Sequence, residues 1–414
     1  MDFNDTPEEE AFRSEVRNWL DANATLRRSR EDKFGEGLEQ QDYLDAARAW
    51  QAKKAAAGYA AISTPKEMGG FGGTPAMQII YNQVEARYLV PDRVFEVSLG
   101  TALPTVAMWG TPEQKHQYLA SAFRGDHIWC QLFSEPSAGS DLGNLRTRAV
   151  RDGDGWILNG QKVWTSVAHF ADYGILLARS DWDKPKSKGL TMFIIDMKGA
   201  GVEVRPIRQA SDEYHFNEVF FNDVRIPDSA RLGPENDGWK VMLSTLMQER
   251  FSLGDNFAGD LYSQIIDLAK QVEWDGMPAI SDKRVRAGIA DAYIQQFGVD
   301  LIVRRGMSAI SKGHSPGPEM AAVKLIGARA FQTGGALAME LAGAEGLVDA
   351  IDLGRAWRLP QLLWISAPGA RIAGGTDEIM KNTIAERVLG LPAEIRSDRD
   401  MPFRELESGL STDI

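Results

Sequence analysis

The chain has almost no cysteine. Cys130 is alone among 414 residues, so no internal disulfide can form and a cysteine-built metal centre lacks its ligands. We expect no metal site, and a reducing cytoplasm as the working compartment. Basic charge is also short: 46 Lys and Arg face 58 Asp and Glu, a net charge of −12. A nucleic-acid partner needs a basic face, and none is expected. No run of about 18 apolar residues exists, which argues against a membrane span. The N-terminus, Met1-Asp2-Phe3-Asn4-Asp5, is acidic and lacks a signal-peptide pattern. Internal repeats and low-complexity segments are missing too.

What remains is an ordinary globular composition, 43% hydrophobic and 25% charged. The length suits roughly two to three domains and a large core. Residues 1–128 carry helix signals. Thr6 precedes Pro7 and Glu9, the pattern of an N-cap, a first-turn proline and a capping-box partner. Phe12, Val16, Trp19 and Leu20 then fall at helical spacing. A second helix over 42–57 ends at Gly58, and the glycine-rich stretch 59–75 must be irregular. Thr111-Pro112-Glu113-Gln114 repeats the start pattern, and Gly125 closes that helix. From Trp129 the period changes to short runs rich in β-branched and aromatic residues, as far as Pro227. Arg179, Ser180 and Asp181 end the run that starts at Tyr173, and Trp182–Lys188 reads as an exposed turn. The helical period returns at Gly238, with Ala/Gly-rich faces such as Gly327–Ala342 that suit close packing. The expected class is α+β: an N-terminal helical domain over 1–128, a middle antiparallel β-barrel or sandwich domain over 129–238, and a C-terminal four-helix-bundle domain over 239–414.

Residues 132–166 stand out within this frame. Leu132-Phe133-Ser134-Glu135-Pro136-Ser137-Ala138-Gly139-Ser140-Asp141 reads as a loop, with small polar residues that leave backbone N–H groups accessible. Trp156–Ser166 reads as two strands around an Asn159-Gly160 turn, a strong hairpin signal. Hydroxyls and free amides suit the edge of a polar, ring-bearing ligand, and Trp164 suits its face. The plainer reading, a Gly-rich loop beside a hairpin, stays open on spacing alone.

Taken in order, these segments resemble the acyl-CoA dehydrogenase family over nearly the whole chain. The resemblance is carried by Gly58–Gly70, Leu132–Asp141, Leu158–Ser166, Asn217–Pro227, Gly374-Gly375-Thr376-Asp377-Glu378-Ile379-Met380 and Ala385–Pro392. Gly317-Pro318-Glu319 with Lys324 looks most like bacterial members of a chemically diverse branch. The resemblance implies FAD, bound between the β domain and the bundle with help from a neighbouring subunit. It also implies an acyl-CoA thioester as substrate. A carboxylate removes the α proton, the β hydrogen leaves as hydride to flavin N5, and the trans-2-enoyl-CoA forms. An electron-transfer flavoprotein is the implied acceptor. By the same resemblance Leu132, Ser134, Trp164, Thr165, Ser166, Thr376 and Glu378 would contact FAD, and Ser140 the CoA chain. Thr376 also suits a helix cap.

The base is not at the place one branch of the family uses, just before Gly-Thr, because that residue is Gly374. A second branch carries its Glu directly before an Arg, on the first long helix after the β domain. Met247-Gln248-Glu249-Arg250-Phe251 matches it, making Glu249 the implied base and Arg250 a substrate-binding candidate. A solvated helix Glu is the plainer alternative. The family's Arg-x-x-Phe-Gly motif, which reaches a neighbour's FAD, is missing from 270–282; Lys283 or Arg286 could substitute. A homodimer or homotetramer is expected, with a hetero-oligomer open. Alternatives to a dehydrogenase are a same-fold oxidase or monooxygenase, and a non-catalytic half-site subunit.

Overall fold

The structure, a computed structural model, describes residues 5–27, 34–35, 38–91, 94–257, 261–311, 317–348, 358–395, 398 and 400–406; for 248–257, 307, 310–311 and 358–359 it describes the backbone alone. The chain divides into two units. One joins residues 1–37, 73–90 and 250–392; the other joins 38–72, 91–249 and 393–414.

The first unit is helical. Helix α1 (Pro7–Asn23) starts at Thr6, whose hydroxyl accepts from Glu9 N while Glu9 returns a bond to Thr6 N. Phe12, Val16 and Leu20 form its buried stripe. In the same unit lie α3 (Pro75–Glu85) and a two-residue ladder, β1 (Thr25–Leu26) on β2 (Tyr88–Leu89). The bundle is built from α7 (Leu261–Gln271), α8 (Lys283–Ser311), α9 (Ala321–Ala342) and the helix Arg358–Ile372. Small residues let α9 approach its neighbours, as the sequence predicts. At Gly335 a Cβ would lie 3.1–3.2 Å from the backbone of Leu363 and Trp364. Between α7 and α8 lies a small hairpin, β10 (Glu273–Trp274) on β11 (Met277–Pro278).

The second unit is organised around a curled sheet. Its strands are β3 (Trp129–Leu132), β4 (Arg148–Asp152), β5 (Gly155–Ser166), β6 (Tyr173–Arg179), β7 (Leu190–Asp196), β8 (Val202–Pro206) and β9 (Phe216–Pro227), in the order β3-β6-β4-β5-β9-β8 with β7 on β6. The pairing is antiparallel except where β6 runs parallel to β3 and meets the end of β4. Two cores flank it. One packs Leu103, Val106, Leu119, Phe123 and Trp129 against Ile175 and Leu177; the other gathers Trp156, Leu158, Phe193, Val219 and Phe221. Helices α2 (Gln40–Ala56), α4 (Leu103–Trp109) and α5 (Pro112–Phe123) belong here, the last started by a Thr111–Gln114 capping box. Helix α6 (Gly238–Phe257) begins in this unit, pinned by a Thr105–Thr245 hydroxyl bond of 2.9 Å and by Trp109 Nε1 donating to Ser244 Oγ at 2.7 Å.

One expectation about the sheet fails. Asn159-Gly160 is no hairpin turn, because β5 runs straight through it. The reversal lies earlier, at Gly153-Asp154, between the paired Asp152 and Gly155. Asn159 instead reaches across the ladder, donating to Asp223 Oδ1 and accepting from Asp223 N, both at 3.0 Å. Asp223 is the extra residue of a β9 bulge, at φ 50°. Gly160 is required because Thr147 packs on it; a Cβ there would lie 2.5 Å from Thr147 Oγ1.

Candidate active site

The loop after β3 is held by a buried ion pair. Lys162 on β5 is fully buried, and its Nζ donates to Glu135 Oε1 at 2.8 Å and to the Phe133 carbonyl at 2.9 Å. Glu135 also accepts from Arg146 N at 2.6 Å and Thr147 N at 2.9 Å. Burial pushes the Glu135 carboxyl up, but the Lys162 ammonium and these donors outweigh it and hold it below the usual carboxylate range. Four bonds therefore fix the turn in which Glu135 and Ala138 exchange backbone hydrogen bonds at 3.0 Å. Ser134 is tied to the same strand, its carbonyl accepting from Val163 N at 2.9 Å.

Next to Lys162, β5 bulges. Its register against β9 shifts between Lys162 and Thr165, and Trp164 sits at φ 59°. A bulky residue adopts this backbone only where its surroundings impose it. The indole is 59% exposed, touching Phe216 edge-on at 5.9 Å. Thr165 is buried, yet its Oγ1 has no hydrogen-bond partner among the described residues. Asn217 supports the bulge from beneath, donating to the Thr165 carbonyl at 2.9 Å and meeting His169 Nδ1 at 3.0 Å. Ser166 pairs with Phe216 and Leu132 with Leu176. An exposed ring face beside a buried, unspent hydroxyl fits a ring-bearing, polar-edged group such as the isoalloxazine of FAD.

Ser140 is exposed at the far end of the loop. Its neighbour Asp141 bonds Lys186 Nζ at 3.0 Å, and Lys186 also bonds Asp398 at 2.8 Å. A second buried cation lies here. Arg179 closes β6 and is fully buried, donating to Gly143 O at 2.6 Å, Leu145 O at 3.2 Å and Lys186 O at 3.2 Å. Its guanidinium lies 3.5 Å from the centroid of the Phe403 ring. Burial lowers it to about 10. The expected exposed turn at 182–188 is thus partly covered by the C-terminal segment.

The helical unit carries the other candidates. Thr376 caps the short helix Asp377–Thr383, its hydroxyl accepting from Ile379 N at 3.3 Å. Beside it, buried Asp377 takes Arg371 at 2.6–2.7 Å and faces Lys324 at 3.8 Å. Glu378 is exposed in the first turn. Glu249 and Arg250 lie on α6, outside the residues whose side chains are described.

Structure therefore brings Leu132, Ser134, Ser140, Trp164, Thr165 and Ser166 onto one sheet and its loop. Thr376 and Glu378 share one helix start in the other unit. Sequence reasoning missed Lys162, Glu135, Asn217, Arg179 and Phe403. For Lys162 a signal existed: it keeps the period-two parity of the buried Trp156 and Leu158. A lone Phe in a polar tail was the signal for Phe403.

Models of the acyl-CoA dehydrogenase N-terminal, middle and C-terminal domains match residues 6–126, 130–224 and 236–389. The chain is 40% identical over 326 residues to acyl-CoA dehydrogenase FadE34 of Mycobacterium tuberculosis, spanning 78% of this chain and 43% of that protein. To acyl-CoA dehydrogenase IpdE1 of the same organism it is 34% identical, over 94% of this chain and 99% of the relative. Among solved structures, the Tcur3481-Tcur3483 steroid ACAD matches with a TM-score of 0.78 and 26% identity, over 95% of this chain and 100% of that one. The chain belongs to the acyl-CoA dehydrogenase family, FAD-dependent oxidoreductases that act on the CH–CH bond of acyl-CoA thioesters.

Proposed function

We propose that this chain dehydrogenates an acyl-CoA thioester to its trans-2-enoyl-CoA with Glu249 as the base. The observation that carries the reading is the exposed Trp164 face on a bulged strand, beside the unspent Thr165 hydroxyl. Leu132, Ser134, Trp164, Thr165 and Ser166 would line the flavin, and Thr376 and Glu378 are further cofactor-binding candidates by the family resemblance. When bound, FAD supplies the hydride acceptor for the β hydrogen. Ser140 holds the CoA chain, and Arg250 contacts substrate. Glu249 takes the α proton as the Cα–H bond breaks and the double bond forms. A carboxylate in a dry pocket has its pKa raised toward working pH, which is what a base for a weakly acidic proton needs. Gly374 at the alternative position offers no carboxylate, which leaves Glu249 as the candidate the motifs supply.

A branched, long or ring-bearing acyl group is the substrate class; likeness to a steroid ACAD favours the ring-bearing choice. Electrons would pass to an electron-transfer flavoprotein in the cytoplasm. Assembly is part of the proposal. Tyr293, Ile294, Phe297 and Leu301 lie 39–65% exposed along one side of α8, an apolar face suited to a second subunit in a homodimer, homotetramer or hetero-oligomer. The test is a panel of branched, long-chain and ring-bearing acyl-CoA thioesters assayed with an artificial electron acceptor. Loss of two hydrogens from one class of thioester is expected. If the FAD-loaded protein bleached with no thioester, the reading would fail; stoichiometric peroxide in air would move it to an oxidase.

A further inference from the structure

Arg179 is an unusual place to bury a charge. Among its described contacts it meets carbonyls and aromatic faces, with no carboxylate in hydrogen-bonding range, and its Nη1 has no hydrogen-bond partner. Two of the carbonyls, Gly143 and Leu145, belong to the segment directly after Ser140 and Asp141. The ring lying closest over this guanidinium is that of Phe403, which is 2% exposed. Phe403 is itself stitched down. Its N–H donates to the Lys184 carbonyl and that of Arg404 to the Trp182 carbonyl, both at 3.0 Å, and its ring meets Trp182 at 5.2 Å. A second tie runs through Lys186, which bridges Asp141 and Asp398. The C-terminal segment thus reaches the same loop by two routes, an aromatic cover over Arg179 and a lysine bridge.

We propose that the segment around Asp398 and Phe403 is a positioning strap, which holds the Ser140–Leu145 loop in the shape that binds the CoA arm of the substrate. The inference rests on the assignment of Ser140 to that arm. Energetics favour it. A hydrogen bond from a charged donor is stronger than one from a neutral donor, and wetting the donor gives much of that advantage away. Removing Phe403 would wet Arg179, weaken its hold on Gly143 and Leu145, and let the loop sample shapes that bind CoA poorly. The loop carries no base and no flavin contact, so the effect falls on binding rather than on the chemical step.

The experiment uses the full-length FAD-loaded protein and its Phe403→Ala, Phe403→Tyr and Asp398→Asn variants. Phe403→Ala should raise KM for the acyl-CoA about tenfold, with kcat within about twofold. Weaker binding of free coenzyme A by calorimetry should accompany it. Phe403→Tyr keeps the ring and should restore both values; Asp398→Asn, which cuts the bridge alone, should give a smaller rise. Hydrogen exchange supplies a readout that needs no substrate. Amides of 140–145 should lose protection in Phe403→Ala while those of β5 keep it. A lowered melting temperature with unchanged KM and unchanged loop protection would make Phe403 merely structural and overturn the strap. Wild-type protein that turns over no thioester, but loses loop protection in Phe403→Ala, would instead overturn the assignment of the substrate.

Discussion

Two cations are buried in the same sheet, in opposite ways. Lys162 meets a carboxylate, Glu135, supplied by the loop it holds, only 27 residues away in the chain. Arg179 meets carbonyls and the ring of Phe403, which the C-terminal segment brings in from far along the sequence. The Glu135 side of the loop, proposed to face the flavin, is therefore closed by neighbours, with its charges cancelled. The Gly143–Leu145 side, proposed to serve the CoA arm, is completed from a distance, with its charge shielded instead. A neutralised pair is a stable mount for a wall that must not move. A shielded cation depends on its cover, so its side of the loop is the one open to adjustment.

The largest break should come at the pair. Lys162→Met leaves the Glu135 carboxylate buried and uncompensated and should cost about 3–5 kcal/mol of stability, read as a lower urea midpoint. Phe403→Ala should cost clearly less; equal losses would erase the distinction between the two mounts. Acid sharpens the comparison. Because the native Glu135 carboxyl is held below its ordinary value of 4.5, the stability it contributes is present above that pH and is lost as acid carries the pH down through the lowered native value. Arg179 stays charged across that range. Hydrogen exchange below pH 4.5 should therefore loosen 133–138 before 143–145. The smallest effect on stability belongs to Trp164→Leu. The side chain is largely exposed, and the change should stay within about 0.5 kcal/mol. On the proposed reading it should nonetheless weaken FAD binding, measured by calorimetry, because it removes the exposed ring face.

How much of this was legible depends on distance along the chain. Helix starts at Thr6 and Thr111 were readable because a cap is a local device of four residues. The β region was readable from its residue types, and the small-residue faces of α9 from their spacing. Asn159-Gly160 misled because the same dipeptide serves a hairpin turn or a strand facing a bulge in its neighbour, and only the pairing with β9 and the packing against Thr147 decide. Among site residues, Trp164 and Thr376 sat in recognisable motifs. Glu135 and Lys162 lay inside those motifs and still went unpaired: strand parity marks Lys162 as buried, but nothing in the sequence names its partner. Arg179 reads from sequence as the polar end of a strand, because its cover is contributed by Phe403 and nothing near Arg179 announces it.

The central claim is that a family flavin wall in one unit is served by a base on α6. Anaerobic mixing of the FAD-loaded protein with the best acyl-CoA of the panel, followed by flavin absorbance, tests it directly. Wild-type protein should bleach. Glu249→Gln should keep FAD, bind the thioester, and bleach about 10²–10⁴-fold more slowly. Bleaching by Glu249→Gln at the wild-type rate would contradict the account.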